Sequence, residues 1–206
     1  MAVSKEHCRY CFDVLSACLS GESTRDVVPR FPDDEYPLFV SWHKDVDGET
    51  HLRGCIGNFS GLRLHEGLRK YALISSQNDT RFNPIHKGEL PQLTCEVSLL
   101  TNFEDAKDYL DWTIGKHGIW IEFTNNYGAR RTATFLPQIA KEQGWSKMET
   151  LDHLLHKGGH VGKITDPVLE SIKLTRYQSD KVSLTYDEYL DLINKEQRQD
   201  SKSLDA

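Results

Sequence analysis

The sequence predicts an α+β fold, with helices packed on a sheet rich in antiparallel pairs. Three observations carry that expectation. Apolar residues recur at spacings of three and four in some segments and alternate with polar residues in others. Asp47-Gly48 and Asn125-Asn126-Tyr127-Gly128 each separate two β-rich runs, as hairpin turns do. Strand and helix segments interleave without the βαβ rhythm of a doubly wound sheet.

From Val3 to Leu19, the residues Cys8, Cys11, Phe12, Leu15, Cys18 and Leu19 form one apolar stripe, and Gly21 follows as a stop signal. That segment is an amphipathic helix. Pro29, Pro32 and Pro37 keep the chain extended up to Leu38-Phe39-Val40-Ser41-Trp42, a run of strand formers, and His51 to Gly57 returns beside it after the first turn. Leu64, Leu68, Tyr71, Ala72 and Ser75 share one helical face of Leu62 to Ser75, and residues 76–84 read as a loop. Leu93, Cys95, Val97 and Leu99 alternate with Thr94, Glu96 and Ser98, the period of a half-buried strand. Ile119 to Phe123 and Arg130 to Leu136 flank the second turn. Ser146 with Glu149 forms a capping box for a helix carrying Leu151, Leu154 and Leu155 and stopping at Gly158-Gly159. From Asn194 onward aromatic and β-branched residues thin out, which predicts one domain over residues 5–193 and a polar tail over 194–206.

With 206 residues the chain can bury roughly 70% of its unfolded surface in one domain. Its composition fits neither the disordered nor the fibrous class. No apolar run approaches the ~18 residues of a membrane span, and the start lacks a basic segment followed by an apolar core, so no membrane is expected as a partner. The formal charge of −6 withholds the global basic field on which nucleic-acid binding depends, so nucleic acid is not the expected partner either. Five cysteines, an odd number without a secretory signal, predict reduced thiols in the cytoplasm, the nucleus or both. Cys8 and Cys11 have the spacing of a zinc half-site, but the apolar face of the first helix needs both sulfurs. His153, His156 and His160 read as a solvated helix face, so no metal is expected. Phosphate-loop and dinucleotide glycine patterns are absent, which argues against a nucleotide-hydrolysing machine and leaves the cofactor, if any, open.

The sharpest local feature is Leu52-Arg53-Gly54-Cys55-Ile56-Gly57, where two glycines bracket a cysteine inside a strand. In a regular strand Arg53 and Cys55 are neighbours on one face and Leu52, Gly54 and Ile56 lie on the other. A cation beside a thiol favours the thiolate, and strand glycines mark close approach of a backbone or ligand. The plainer reading is a small buried cysteine packed as a hydrophobe.

Together with Asp79-Thr80-Arg81-Phe82-Asn83-Pro84, Cys95-Glu96-Val97-Ser98-Leu99-Leu100, Ile114-Gly115-Lys116-His117-Gly118 and Phe135-Leu136-Pro137-Gln138 running on to Glu142-Gln143-Gly144-Trp145, this hexamer resembles the AMMECR domain family. The resemblance spans roughly Lys5 to Tyr189, with Thr80 standing where a proline is frequent. It implies an α+β domain with a larger and a smaller subdomain forming a cleft, and it implies no reaction.

Three further places hold chemistry. Asp79 and Arg81, two apart in a loop, form an ion pair or offer a guanidinium to an anion. Glu96 lies on the strand face opposite Leu93, Cys95, Val97 and Leu99, where it holds a cation or a proton, or is merely solvated. His117, flanked by glycines, is a titratable group or a hydrogen-bonded turn residue. The favoured expectation is a ligand- or protein-binding module whose cleft holds Arg53, Gly54, Cys55, Gly57, Asp79, Arg81 and Glu96, with an unidentified protein or a small anionic ligand as partner. The alternative is an enzyme using Cys55 as nucleophile or redox thiol, with His117 and Glu96 handling protons. More remote is an RNA-associated protein using Arg81, Arg130 and Arg131.

Overall fold

A computed structural model describes residues 3–125 and 127–204, with side-chain surroundings up to Glu196. Asn126 of the second turn, the last two residues of the chain and the side chains beyond Glu196 lie outside the described residues. The strands are β1 (Glu35–Val46), β2 (Glu49–Arg63), β3 (Leu93–Asp105), β4 (Gly118–Thr124), β5 (Arg130–Phe135) and β6 (Lys173–Thr185). The helices are α1 (Lys5–Leu19), α2 (Leu64–Gln77), α3 (Ile139–Glu142), α4 (Lys147–Lys157), α5 (Asp166–Glu170) and α6 (Tyr186–Leu204), with a 3-10 helix at Lys87–Gln92. The strand order is β2-β1-β3-β6-β4-β5, and the pairs β1–β2, β1–β3, β4–β5 and β4–β6 are antiparallel. The fold is therefore α+β, as expected from the hairpin signals. Among the described residues no helix is long and apolar enough to cross a membrane.

The chain divides into two compact units, Met1–Leu99 with Asp180–Ala206, and Leu100–Ser179. In the first, Leu38, Val40 and Trp42 of β1 face the apolar sides of α1 and α2, because alternate strand residues point the same way. Phe12 meets Trp42 edge-on at 5.1 Å and stacks on Tyr189 at 4.9 Å, and the Trp42 indole N–H donates to the Ala72 carbonyl. Burying each such side chain stabilises by about 1.5–3 kcal/mol. Cys8, Cys11 and Cys95 are fully buried in this core. The Asp47-Gly48 turn has φ of 55° and 83°, the left-handed pair that a two-residue hairpin needs.

The second unit packs α4 and its neighbours on β4 and β5, with Ile119, Ile121, Leu151, Leu154 and Leu155 fully buried. Ser146 caps α4 and accepts from the Glu149 amide, so the capping box forms where the sequence placed it. Two expectations fail here and at the C-terminus. His160 is 3% exposed against the Phe123 ring instead of lying on a solvated face, because the Gly158-Gly159 break ends the helix and turns the chain inward. Helix α6 runs straight through Asn194, and Glu196 forks onto the buried Arg9, so the change in composition does not mark the end of the element. Strand β6 had no counterpart in the periodicity, since Ser179-Asp180-Lys181 interrupts its apolar positions.

Candidate functional site

Strand β2 is the edge of the sheet, so half of its backbone groups lack a partner strand. At Cys55 the segment Asp79–Phe82 supplies them instead. The Cys55 N–H donates to Asp79 Oδ2 at 2.9 Å, and the Cys55 carbonyl accepts from Arg81 Nη2 at 3.0 Å. Arg81 closes on the same carboxylate through Nε (2.9 Å) and Nη2 (2.7 Å), and its guanidinium lies 5.4 Å from the Phe82 ring centre. Asp79 is 6% exposed. The Arg81 hydrogen bonds hold its carboxyl well below the usual carboxylate range, with help from the Cys55 and Arg81 amides and against burial. The acid–arginine pair thus imitates one register of a neighbouring strand and closes the edge. Hydrogen bonds to charged groups contribute about 1.5–3 kcal/mol each when sheltered, less here because half of Arg81 is open to solvent.

Arg53 does not join this cluster, and the expected Arg53–Cys55 neighbourhood is corrected by a β-bulge. Trp42 pairs with Gly54 but His43 pairs with Leu52, leaving Arg53 as the extra residue. The bulge breaks the alternation, so Arg53 turns to the side of Lys44, and both reach the buried Glu89. Arg53 also donates to the carbonyls of Asn83 and Pro84, fastening the far end of the same loop. Burial alone would raise the Glu89 carboxyl, but bonds from Arg53, Lys44 and the His86 amide bring it down to about 2. At Gly54 a Cβ would overlap the Ser75 carbonyl of α2, and at Gly57 it would overlap the Leu38 carbonyl and the Phe39 ring. Both glycines serve close approach of protein, not of a ligand.

Cys55 is half-buried, not sealed in the core as its size suggested, and its sulfur accepts from the Ser41 hydroxyl at 3.0 Å. Ser41 stands opposite Cys55 on one side and opposite Glu96 on the other, so the three share a sheet face across β2, β1 and β3. Glu96 continues the row to Lys181 of β6 at 3.1 Å. Glu96 therefore lies on the face opposite the core, as the alternation of β3 requires, and its carboxylate is occupied by a cation. His117 belongs to the other unit, where its Nδ1 accepts the Thr113 amide at 3.0 Å, as a turn residue does. Burial, followed by the charges of Lys116 and Arg176, lowers its pKa. Sequence reasoning missed Ser41, Glu89, Lys44 and Lys181. Ser41 was recoverable, since it shares its parity with Phe39 on a strand facing Glu96, whereas nothing in Lys87-Gly88-Glu89-Leu90 marks that acid as buried.

These features define a class, an α+β domain whose edge strand carries a glycine-bracketed cysteine and is closed by an acid–arginine loop. The AMMECR1 family model matches residues 8–182, and the chain belongs to that family. An uncharacterised protein of Arabidopsis thaliana is 47% identical over 195 residues, covering 94% of this chain and 90% of its own length. An uncharacterised protein of Schizosaccharomyces pombe is 41% identical over 187 residues, covering 90% and 95%. The crystal structure of an uncharacterised protein from Pyrococcus horikoshii aligns with a TM-score of 0.65 at 26% identity, over 86% of this chain and 89% of that one.

Proposed function

We propose that the protein is a binding module whose ligand, a protein segment or a small molecule, presents an anionic group to Arg81 beside Cys55. One observation carries this reading. Arg81 is anchored at the Asp79 carboxylate, the Cys55 carbonyl and the Phe82 ring, yet its side chain remains 54% exposed. A guanidinium held in place before the ligand arrives loses little conformational freedom on binding, which is the condition for useful affinity from one charged contact. Cys55 and the Ser41–Glu96–Lys181 row lie on the adjoining face and add polar contacts. The enzymatic reading draws no comparable support, because Glu96 is spent on Lys181 and His117 on the Thr113 amide. The test is an amide-resolved NMR titration with acetate and with short peptides ending in a free carboxylate. Shifts centred on Cys55 and residues 79–82, lost in Arg81→Ala, support the site. Unshifted amides there, or alkylation of Cys55 faster than that of a free thiol, would reject it, the latter in favour of the enzyme.

A further inference from the structure

We propose that the groove along the turn-proximal half of the β4–β5 hairpin is a binding site for a small, multiply phosphorylated molecule. The groove measures about 680 Å³, within the range of about 300–1,000 Å³ usual for small-molecule sites. Its rim carries Arg130, Arg131, Lys157 and Lys173 against the single carboxylate of Glu122. That local excess of positive charge sits in a chain of net charge −6.

Arg130 and Arg131 are consecutive in an extended strand, so their side chains leave by opposite faces, and on an interior strand only one would reach a given groove. Here β5 is the edge of the sheet and both arginines line the groove, which also takes in Glu122 to Thr124 of β4 and Lys173 of β6. Among the described residues neither arginine has a carboxylate partner, and Lys173 stands 3.9 Å from Glu122. Lys157 donates to the Thr134 carbonyl at 2.9 Å and lies over the Phe135 ring at 4.7 Å, and among the described residues it too has no counter-charge. Burial lowers its pKa, a penalty that an anion in the groove would offset. Phe123 and Gly158 supply the apolar wall. Behind Phe123, the buried His160 has no hydrogen bond at either ring nitrogen among the described residues, an unspent polar group one ring away.

Guanidinium pairs suit the tetrahedral oxygens of phosphate, and several cations set against one acid suit a ligand carrying at least two charges. A compact ligand is favoured over a nucleic acid. Beyond about 8–10 Å at physiological salt the rest of this acidic chain adds no attraction, so an extended strand would gain nothing outside the groove.

The experiment is calorimetric titration of the full chain with inorganic pyrophosphate and tripolyphosphate at about 0.15 M salt. Wild type is compared with Arg130→Gln/Arg131→Gln, with Lys173→Gln, and with the charge-matched control Arg25→Gln/Lys87→Gln. The expected result is saturable binding that weakens at least about tenfold in the double arginine variant, less in Lys173→Gln, and stays within about twofold in the control. Absence of saturable heat in wild type, or equal losses in the arginine variant and the control, would overturn the site. Single-stranded oligonucleotides binding more tightly than tripolyphosphate, with affinity rising with length, would replace it with a nucleic-acid surface.

Discussion

Around β2, Arg53 and Lys44 share Glu89, Arg81 closes on Asp79, and Lys181 reaches Glu96, whereas along β5 Arg130 and Arg131 have no carboxylate among the described residues. The first set of charges is consumed by the fold. Its acids Glu89 and Asp79 are buried, and Arg53 and Asp79 hold a loop and a strand edge in place even though Arg81 and Lys181 are themselves exposed. The second set is exposed and lies on the strand at the other end of the strand order. The contrast teaches that charge content alone does not locate a site. What distinguishes the two edges is whether a cation's partner is already present, with Arg81 the intermediate case, partnered on one side and open on the other.

Substitutions should separate the two regions in order of size. The largest effect belongs to Gly54→Val, which drives a branched side chain into the Ser75 carbonyl and should cost about 3 kcal/mol or more. A urea midpoint matching wild type would break the claim that β2 is fixed by backbone contact. Arg53→Ala removes the fork on a buried carboxylate and two loop carbonyls at once. We expect about 2–3 kcal/mol, below the range for a sealed pair because Lys44 still reaches Glu89.

Acid should expose the same pairing. Glu89 titrates at about 2 in the folded chain against an ordinary 4.5, and the Asp79 carboxyl is also lowered. Both folded values lie below the unfolded ones, so the stabilisation is complete above about pH 4.5 and drains away as the pH falls toward 2. Urea midpoints measured across that window should decline, and Glu89→Gln should flatten the decline. A midpoint rising on acidification would contradict the pairing. Arg81→Ala should cost only about 1–2 kcal/mol, since solvent already screens half of the side chain. At the small end, Arg130→Gln/Arg131→Gln should move stability by less than about 0.5 kcal/mol by thermal melting. A loss comparable to that of Arg53→Ala would erase the distinction between the two edges.

Parts of this are legible in the amino-acid sequence itself. The face of Glu96 follows from the alternation of Leu93, Cys95, Val97 and Leu99, because β3 is regular over that span. Arg53 defied the same rule, since a single bulge residue inverts parity and the sequence around it differs in no obvious way from an unbulged strand. Asp79 and Arg81 announced an ion pair by spacing. Their attachment to the Cys55 backbone was hidden, because N–H and carbonyl groups are identical at every residue and carry no sequence mark. His160 looked like a member of a histidine face until the glycine break redirected it, a tertiary effect that helical spacing does not encode.

The central claim is that the Asp79–Arg81 pair substitutes for a missing strand at Cys55, and amide hydrogen exchange measures it directly. In wild type the Cys55 amide should be protected despite its place on an edge strand. In Asp79→Ala, which removes the acceptor, its exchange should accelerate by at least about tenfold, while the Ile56 amide, one residue on and directed into the ladder with β1, keeps its rate. Equal Cys55 exchange in the two proteins, or equal acceleration at Ile56, would contradict the claim and remove the basis for reading Arg81 as an anchored binding group.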